Sequence, residues 1–597
     1  MLFFLFLSLH ADVKAYHLKA DKLDLADERY WHLLLHFTGK ESEIDDEKFF
    51  LSEGGKTDPS SELHATIDAF YNEKFFDDNS SACRFPARLE WLKEKLDLKD
   101  LPKVTCKRYD DIVKQLDPKS VTLVFPAAHI NSPASMFGHT FLRINSSYNS
   151  KLLSYAINYA AAADSSKENA VIFAIKGLVG GYYGKYSMLP YYDKLKEYRD
   201  TEARDIWEYD LDLTQEETQR MVRHIWELND TSSYYYFFTE NCSYNMLWLL
   251  EVARPSLHLR EAFHYQVIPF ETVHVVESKN IVTSKNYRPS KRSTILAYEK
   301  VLSGHSKEMV LDLMDKKTAI KEINSDENLT LQQKQYIFEA SGELLVYRLM
   351  KGKIKKDDYM KRFHEVSSAR AALGQGDTIA IEVPPNPDEG HRALRTSLSH
   401  GWRNGKPIEF AGIRPAYHDI KDSGVGFLRG TQIEFLDFEL NYFDSKIELE
   451  KGTILSIESL AQRSAFFDNF SWRMKTGFDR DFMDDRSNYI FTVGAGFSWG
   501  NDWGYLYVLA DPFGYINNDM AVGIGSSLGV VIDKGKDFNT NIEATHRWYY
   551  NEKNQWLINV SENYRVTKDI SLQLSYQHKG RDIDAEDSYK ASLNYFF

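Results

Sequence analysis

The feature that most constrains this chain is a switch to period two over its C-terminal third. From residue 390 to Phe597, segments of roughly ten residues alternate apolar and polar side chains. In the last segment Tyr589, Ala591, Leu593, Tyr595 and Phe597 share one face, while Lys590, Ser592 and Asn594 share the other. Turn signals such as Asn404-Gly405, Asn501-Asp502 and Asn517-Asn518-Asp519 separate the segments. A helix cannot bury such a pattern, because its own period is 3.6. About twelve segments, an even number, predict an antiparallel transmembrane β-barrel over 390–597, apolar outside and polar inside. A soluble sandwich or β-solenoid shares the alternation. Closure is favoured because it removes the edges of so many strands.

A chain of 597 residues exceeds one compact core, and roughly two to four domains are expected. The formal net charge of −14 argues against nucleic acid as a partner. Residues 1–11 form an apolar run ending at Ala11, which reads as a secretory signal peptide; a buried apolar terminus is the alternative. Export favours disulfides, and the cysteine count of three is odd. Cys83 and Cys106 lie close together in a helical-looking region and are predicted to pair, leaving Cys242 free. Three free thiols in a cytosolic protein would be the other reading.

Residues 12–118 show the spaced apolar positions of a helical N-terminal domain, as in Leu63 to Phe70. Over 119–259 the pattern becomes α+β. Strands are read at Val121–Phe125, Thr140–Ile144, Leu152–Ala161 and Ala203–Leu213. Thr214-Gln215-Glu216-Glu217 is a capping box that opens a helix, and a further helix runs from Cys242 to before Pro255. Residues 260–389 return to helical periodicity as a connector, ending in the stiff stretch Pro384 to Gly390.

Chemistry concentrates at Cys242, where the polar turn Thr239 to Tyr244 runs into the apolar Met246 to Leu250. A thiol in the first helical turn feels the partial positive charge there, which favours thiolate. His139, on a strand, is the candidate base, and Asn158, the one amide among apolar neighbours on the next strand, is the candidate group to orient it. His129 is a further histidine near the site. Each has a structural alternative: a small packed thiol, a strand histidine, an amide closing a backbone hydrogen bond. Tyr234 to Phe238 reads as core packing ahead of a lipid-chain contact. Gly177, Gly180, Gly181 and Gly184 lack the Gly-Lys-Ser/Thr ending of a phosphate loop and read as a mobile loop over the cleft. No zinc-type Cys or His spacing stands out, and neither a cofactor nor a metal is expected.

Ser132 to Ile144, followed by Glu240-Asn241-Cys242-Ser243-Tyr244, resembles the Lnb-like family of lipoprotein N-acyltransferase domains. That family is similar to circularly permuted papain-fold, NlpC-like domains, in which His precedes Cys. Lecithin–retinol acyltransferase has a comparable Asn-Cys helix start. The runs Phe50-Leu51-Ser52, Gly55 to Pro59 and Cys83 to Arg88 resemble the helical leader often attached to it. The resemblance covers roughly residues 25 to 260 and leaves out the C-terminal barrel. It implies Cys242 as nucleophile and His139 as general base, with Asn158 carried over only by position in the fold. Tyr595 with Phe597 resembles the C-terminal signature of outer-membrane barrels.

The expectation is therefore an α+β multidomain protein anchored in the bacterial outer membrane, with lipid as a partner and its catalytic domain facing the periplasm. The activity implied is cysteine acyl transfer or acyl hydrolysis through a thioester, on lipid or lipoprotein acyl groups. A peptidoglycan amidase or peptidase, and a non-enzymatic barrel with a degenerate papain-like domain, are the alternatives.

Overall fold

A computed structural model describes residues 13–127, 138–148, 151–162, 176–484, 486–516, 520–535 and 537–597. The segment 1–11 read as a signal, His129 and the turn at 517–519 lie outside the described residues. The chain forms two compact units, Met1–Ser290 and Lys291–Phe597.

The first unit opens with helices that include α1 (Pro59–Tyr71) and α2 (Pro86–Leu96). Asp58 caps α1 by accepting from the N–H groups of Ser60 and Ser61, and a proline follows at the first helical position. Glu62 and Arg88 form an ion pair of 2.5 Å with both side chains fully buried. Glu62 also accepts from the backbone of Leu51 and Ser52 at 2.9 and 2.8 Å. A Cβ at Gly55 would stand 2.3 Å from the Glu62 carboxylate, so glycine is required there. The leader motifs thus converge on one buried charge pair. Cys83 and Cys106 are joined by a disulfide.

Seven antiparallel strands follow: β1 (Pro118–Pro126), β2 (Phe141–Ser146), β3 (Tyr155–Ala161), β4 (Tyr182–Pro190), β5 (Ile206–Leu211), β6 (Ser233–Tyr235) and β7 (Val282–Arg288). Their order in the sheet is β6-β4-β3-β2-β1-β5-β7. β4 and β6 were not apparent from sequence pattern. β7 comes from the segment read as a helical connector; it is a polar edge strand on which burial imposes little alternation. Helix α3 (Gln215–Glu227) opens with the expected capping box at Thr214 and Glu217. Helix α4 (Cys242–Ala253) is buried at every residue but Tyr244 and packs against β2 and β3. Such a helix, apolar all round, belongs to an interior. Within the sheet Arg143 on β2 pairs with buried Glu208 on β5 at 2.8 Å. Burial pushes the Glu208 carboxyl up, but Arg143, Arg288 and Tyr191 outweigh it and bring the group down to about 2.

The second unit begins with helices packed around Ile295, Phe338 and Leu345. Twelve strands then run up and down: β8 (Arg395–Arg403), β9 (Lys406–Arg414), β10 (Thr431–Phe443), β11 (Lys446–Ser459), β12 (Ser471–Asp479), β13 (Asn488–Asn501), β14 (Gly504–Ile516), β15 (Met520–Ile532), β16 (Phe538–Tyr549), β17 (Gln555–Arg565), β18 (Ile570–Arg581) and β19 (Asp584–Phe596). Each pairs antiparallel with its chain neighbours, and β8 pairs with β19, from Arg395↔Phe596 to Arg403↔Ser588, so the sheet closes into the expected barrel. The first hairpin turns at Asn404-Gly405, both at positive φ, as a two-residue primed turn requires.

The alternation falls as the pattern predicts. Leu528 and Leu574 point outward and are 55% and 61% exposed, while Ser592 and Asn594 point inward at 6% and 1%. Exposed aromatics ring both ends: Trp402, Tyr442, Trp548 and Trp556 at one, Trp499, Trp503, Phe538, Tyr564 and Tyr595 at the other. An exposed apolar wall between two aromatic girdles is the surface of a membrane-spanning barrel. The interior is crossed by side chains. Arg473 reaches from β12 to Asp511 on β14 at 2.7 Å and to Glu543 on β16 at 2.6 Å. Between β9 and β10 the chain turns inward, with Ile420 packed among Tyr505, Tyr507 and Leu509.

Candidate active site

Cys242 is the first residue of α4, and Asn241 is its cap. The Asn241 Oδ1 accepts from the N–H groups of Ser243 and Tyr244 at 3.1 and 3.2 Å. Its Nδ2 donates to the carbonyls of Phe237 and Val267 at 3.0 and 2.6 Å. Both ends of the amide are used, which fixes the turn that delivers the thiol and satisfies two otherwise orphan helix donors. The sulfur therefore stands at the positive end of a buried helix.

His139 arrives from the other side. Gly138, at φ +93°, precedes it, and a Cβ there would lie 2.6 Å from the Phe125 ring. The His139 N–H donates to the Pro126 carbonyl at 3.3 Å. Its Nε2 meets Asn158 Oδ1 at 2.7 Å. An amide oxygen only accepts, so Nε2 carries the proton and Nδ1 keeps its lone pair for the thiol. The Cys242 thiol lies beside the His139 imidazole and the Thr140 backbone, and its Sγ stands 3.8 Å from Ser243 Oγ. Burial pushes the thiol up, but the imidazole, with the polar groups of Thr140 and Ser243, outweighs it, and the group is lowered to about 7. Exposure is 4% at Cys242, 9% at His139 and 4% at Asn158, so bulk water is largely excluded. The three residues singled out in the sequence are thus brought together, and Cys242 is the free cysteine.

Sequence reasoning missed Tyr235. Its hydroxyl accepts from the Cys242 N–H at 3.2 Å, beside the thiol. The pairing Tyr182↔Tyr235 between β4 and β6, and stacking on Tyr159 at 5.7 Å, hold the ring there. No local spacing announces this, because it depends on a strand pairing. Of the run Tyr234 to Phe238 only Tyr235 is buried, and Tyr234 is 40% exposed, so core packing describes one residue of the five. The glycines read as a mobile loop serve these rings instead. A Cβ at Gly177 would meet Phe237 at 2.3 Å, and one at Gly180 would meet Tyr236 at 2.5 Å.

Next to the helix start lies an acidic group. Burial, with Glu43 and Asp45 nearby, pushes Glu240 up to about 7. Glu43 accepts from Trp248 Nε1 at 2.7 Å and from the Tyr244 hydroxyl at 2.9 Å, which ties the leader to α4. Among the described residues, the group with metal-ligating geometry is His391, His418 and Asp422, in the second unit.

This arrangement of helix, sheet and thiol can be set beside known families. Residues 108–279 match the Lnb N-terminal periplasmic domain. The Lnb-type match spans β1 to α4, including Cys242, His139 and Asn158. Three domains of unknown function match the rest: DUF7843 over 23–95, DUF7842 over 285–380 and DUF7840 over 384–596. No curated protein matches the chain. Among solved structures, the KdgM porin in complex with disordered oligogalacturonate is similar at 13% identity, covering 34% of this chain and 99% of its own, with a TM-score of 0.23. The NanC porin gives 14%, 34%, 100% and 0.24. The COG4313 outer membrane channel from Pseudomonas putida F1 gives 11%, 37%, 100% and 0.24. Scores this low carry no argument, and the barrel stands on its own closure and lipid-facing wall. That barrel and the Lnb-type match put the chain in the outer membrane with the α+β domain in the periplasm.

Proposed function

We propose that the protein is an outer-membrane-anchored thiol acyltransferase or acyl hydrolase that works in the periplasm on lipid or lipoprotein acyl groups. The observation that carries this reading is a buried thiol lowered to about 7 beside an imidazole whose far nitrogen is held by Asn158 at 2.7 Å. The His-before-Cys order, with the thiol on a buried helix and the imidazole just ahead of the facing strand β2, fits a permuted papain-type site.

In the proposed cycle His139 Nδ1 takes the thiol proton and the Cys242 thiolate attacks the acyl carbonyl carbon. A C–S bond forms as the carbonyl electrons move to oxygen. When they return, the bond to the leaving oxygen or nitrogen breaks, and that atom takes the proton from the imidazolium. An amine or water then attacks the thioester, gives its proton to His139 and releases the thiolate. The oxyanion requires donors. The Cys242 N–H and the Tyr235 hydroxyl lie together, so the hydroxyl can turn its proton toward the new charge and free the backbone N–H as it does so.

The test compares cells carrying wild type with Cys242→Ala. Loss of lipoprotein or lipid acylation supports the reading. Altered peptidoglycan stem peptides with normal acylation would assign the site to an amidase. Full complementation by Cys242→Ala would end the enzymatic reading.

A further inference from the structure

The barrel holds a cluster of ligand-type side chains far apart in sequence. His391 lies just before β8, at the end of the barrel where the chain enters and leaves it. His418 ends a three-residue strand, Ala416–His418, that pairs with β10 through Ile433, and Asp422 lies on the inward turn that follows. All three are buried, at 2%, 4% and 1% exposure. His391 Nε2 stands 3.1 Å from His418 Nδ1 and 3.7 Å from Asp422 Oδ2. One donor atom from each falls within 4.8 Å of the others. Two ligands on a tetrahedral zinc ion, each about 2.0–2.2 Å from it, sit roughly 3.3 Å apart, so little movement is needed.

Second, the imidazoles are prepared for this. His391 Nδ1 donates to the Arg392 carbonyl at 2.7 Å, which fixes the tautomer and turns the Nε2 lone pair toward the cluster. The Phe427 ring stacks on His418 at 4.0 Å and on His391 at 4.5 Å, and Phe596 covers His391 at 4.1 Å. The donors thus sit in an apolar clamp.

Third, the carboxylate belongs to a buried charged group in which Asp419, Asp422 and Asp437 face Arg395, Arg414 and Lys451. Arg414 shares the Asp422 oxygen at 2.6 Å, which leaves the imidazoles as the principal donors and the carboxylate as the third.

We propose that His391, His418 and Asp422 bind a divalent transition-metal ion of the zinc class. The ion staples the inward turn to the entrance of the first strand and locks that end of the barrel. Two nitrogens and one carboxylate oxygen suit zinc rather than magnesium or calcium.

The full chain in detergent is stripped with chelator, given zinc and passed through a desalting column. One equivalent of zinc per chain is expected, falling at least tenfold in His391→Asn and in His418→Asn. Heat-modifiable migration on gels reports whether each variant barrel is folded. X-ray absorption of the wild type is a second readout that needs no variant, and two imidazoles in the zinc shell are expected. Failure of the wild type to retain an equivalent overturns the site. So does zinc that survives either substitution in a folded barrel, or a zinc shell with fewer than two imidazoles; each would mean a metal-free hydrogen-bonded latch.

Discussion

Removing the His139 imidazole should raise the Cys242 thiol by two units or more. In the native site burial already pushes the thiol up, and the imidazole, with the polar groups of Thr140 and Ser243, brings it from the ordinary 9.0 to about 7. His139→Ala leaves the burial and takes away the main opposing influence, so the thiol should titrate at or above its ordinary value. Two units correspond to about 2.7 kcal/mol of lost thiolate stabilisation. At pH 7 the thiolate fraction would fall from about one half to about one hundredth, roughly fifty-fold. The rate of alkylation by iodoacetamide reads that fraction directly. The signal is clean because Cys83 and Cys106 are joined and Cys242 is the remaining thiol. The pH–rate profile of the folded wild-type chain should break near 7, and that of His139→Ala near 9 or above. Circular dichroism establishes that the variant is folded. A wild-type break near 9, or an unmoved break in folded His139→Ala, would refute the argument that His139 activates the thiol.

Other consequences are testable by stability. Glu240 is held near 7 in the folded state against about 4.5 when unfolded, so the folded state keeps its proton longer. The contribution of Glu240 is full below pH 4.5 and is lost as pH rises through 7, and Glu240→Gln should recover about 1–2 kcal/mol above pH 7 in denaturant titrations, after allowance for solvent screening. Replacing Cys83 and Cys106 together by alanine opens a link across a sequence separation of 23 and should lower unfolding free energy by about 3 kcal/mol, with iodoacetamide labelling of Cys242 unchanged. Leu528→Arg puts a charge near the middle of the lipid-facing wall and should destabilise the barrel by about 2–4 kcal/mol in vesicles, read by urea titration of heat-modifiable migration.

Some of this architecture is legible in the sequence because the physics behind it is local. A barrel wall sorts side chains by a period of two, so Tyr589 to Phe597 announce their faces residue by residue. The thiol is legible because a helix start carries its own marks: a capping amide at Asn241, then an apolar run. His139 and Asn158 became legible through the resemblance, since an isolated strand histidine has no distinguishing pattern. Tyr235 was not legible, because its hydroxyl reaches the thiol only through the pairing of β4 with β6. β4 itself hid behind glycines, which are poor strand formers and are present because aromatic rings lie against their backbones. β7 hid because an edge strand with one polar face needs no alternation. His391 and His418, with a sequence separation of 27, meet only because the turn between β9 and β10 folds inward.

The joining of Cys83 to Cys106 also bears on how the protein matures. A chain threaded across a membrane from its N-terminal end delivers residue 83, then residue 106, into the oxidising compartment before residue 242. The first two thiols can close on each other while the third is still in transit. By the time Cys242 emerges, no open partner awaits it within its own chain, and its helix then shields it from bulk solvent. The order of cysteines along the chain therefore acts as a timetable, one that keeps a reactive thiol reduced where most thiols are oxidised.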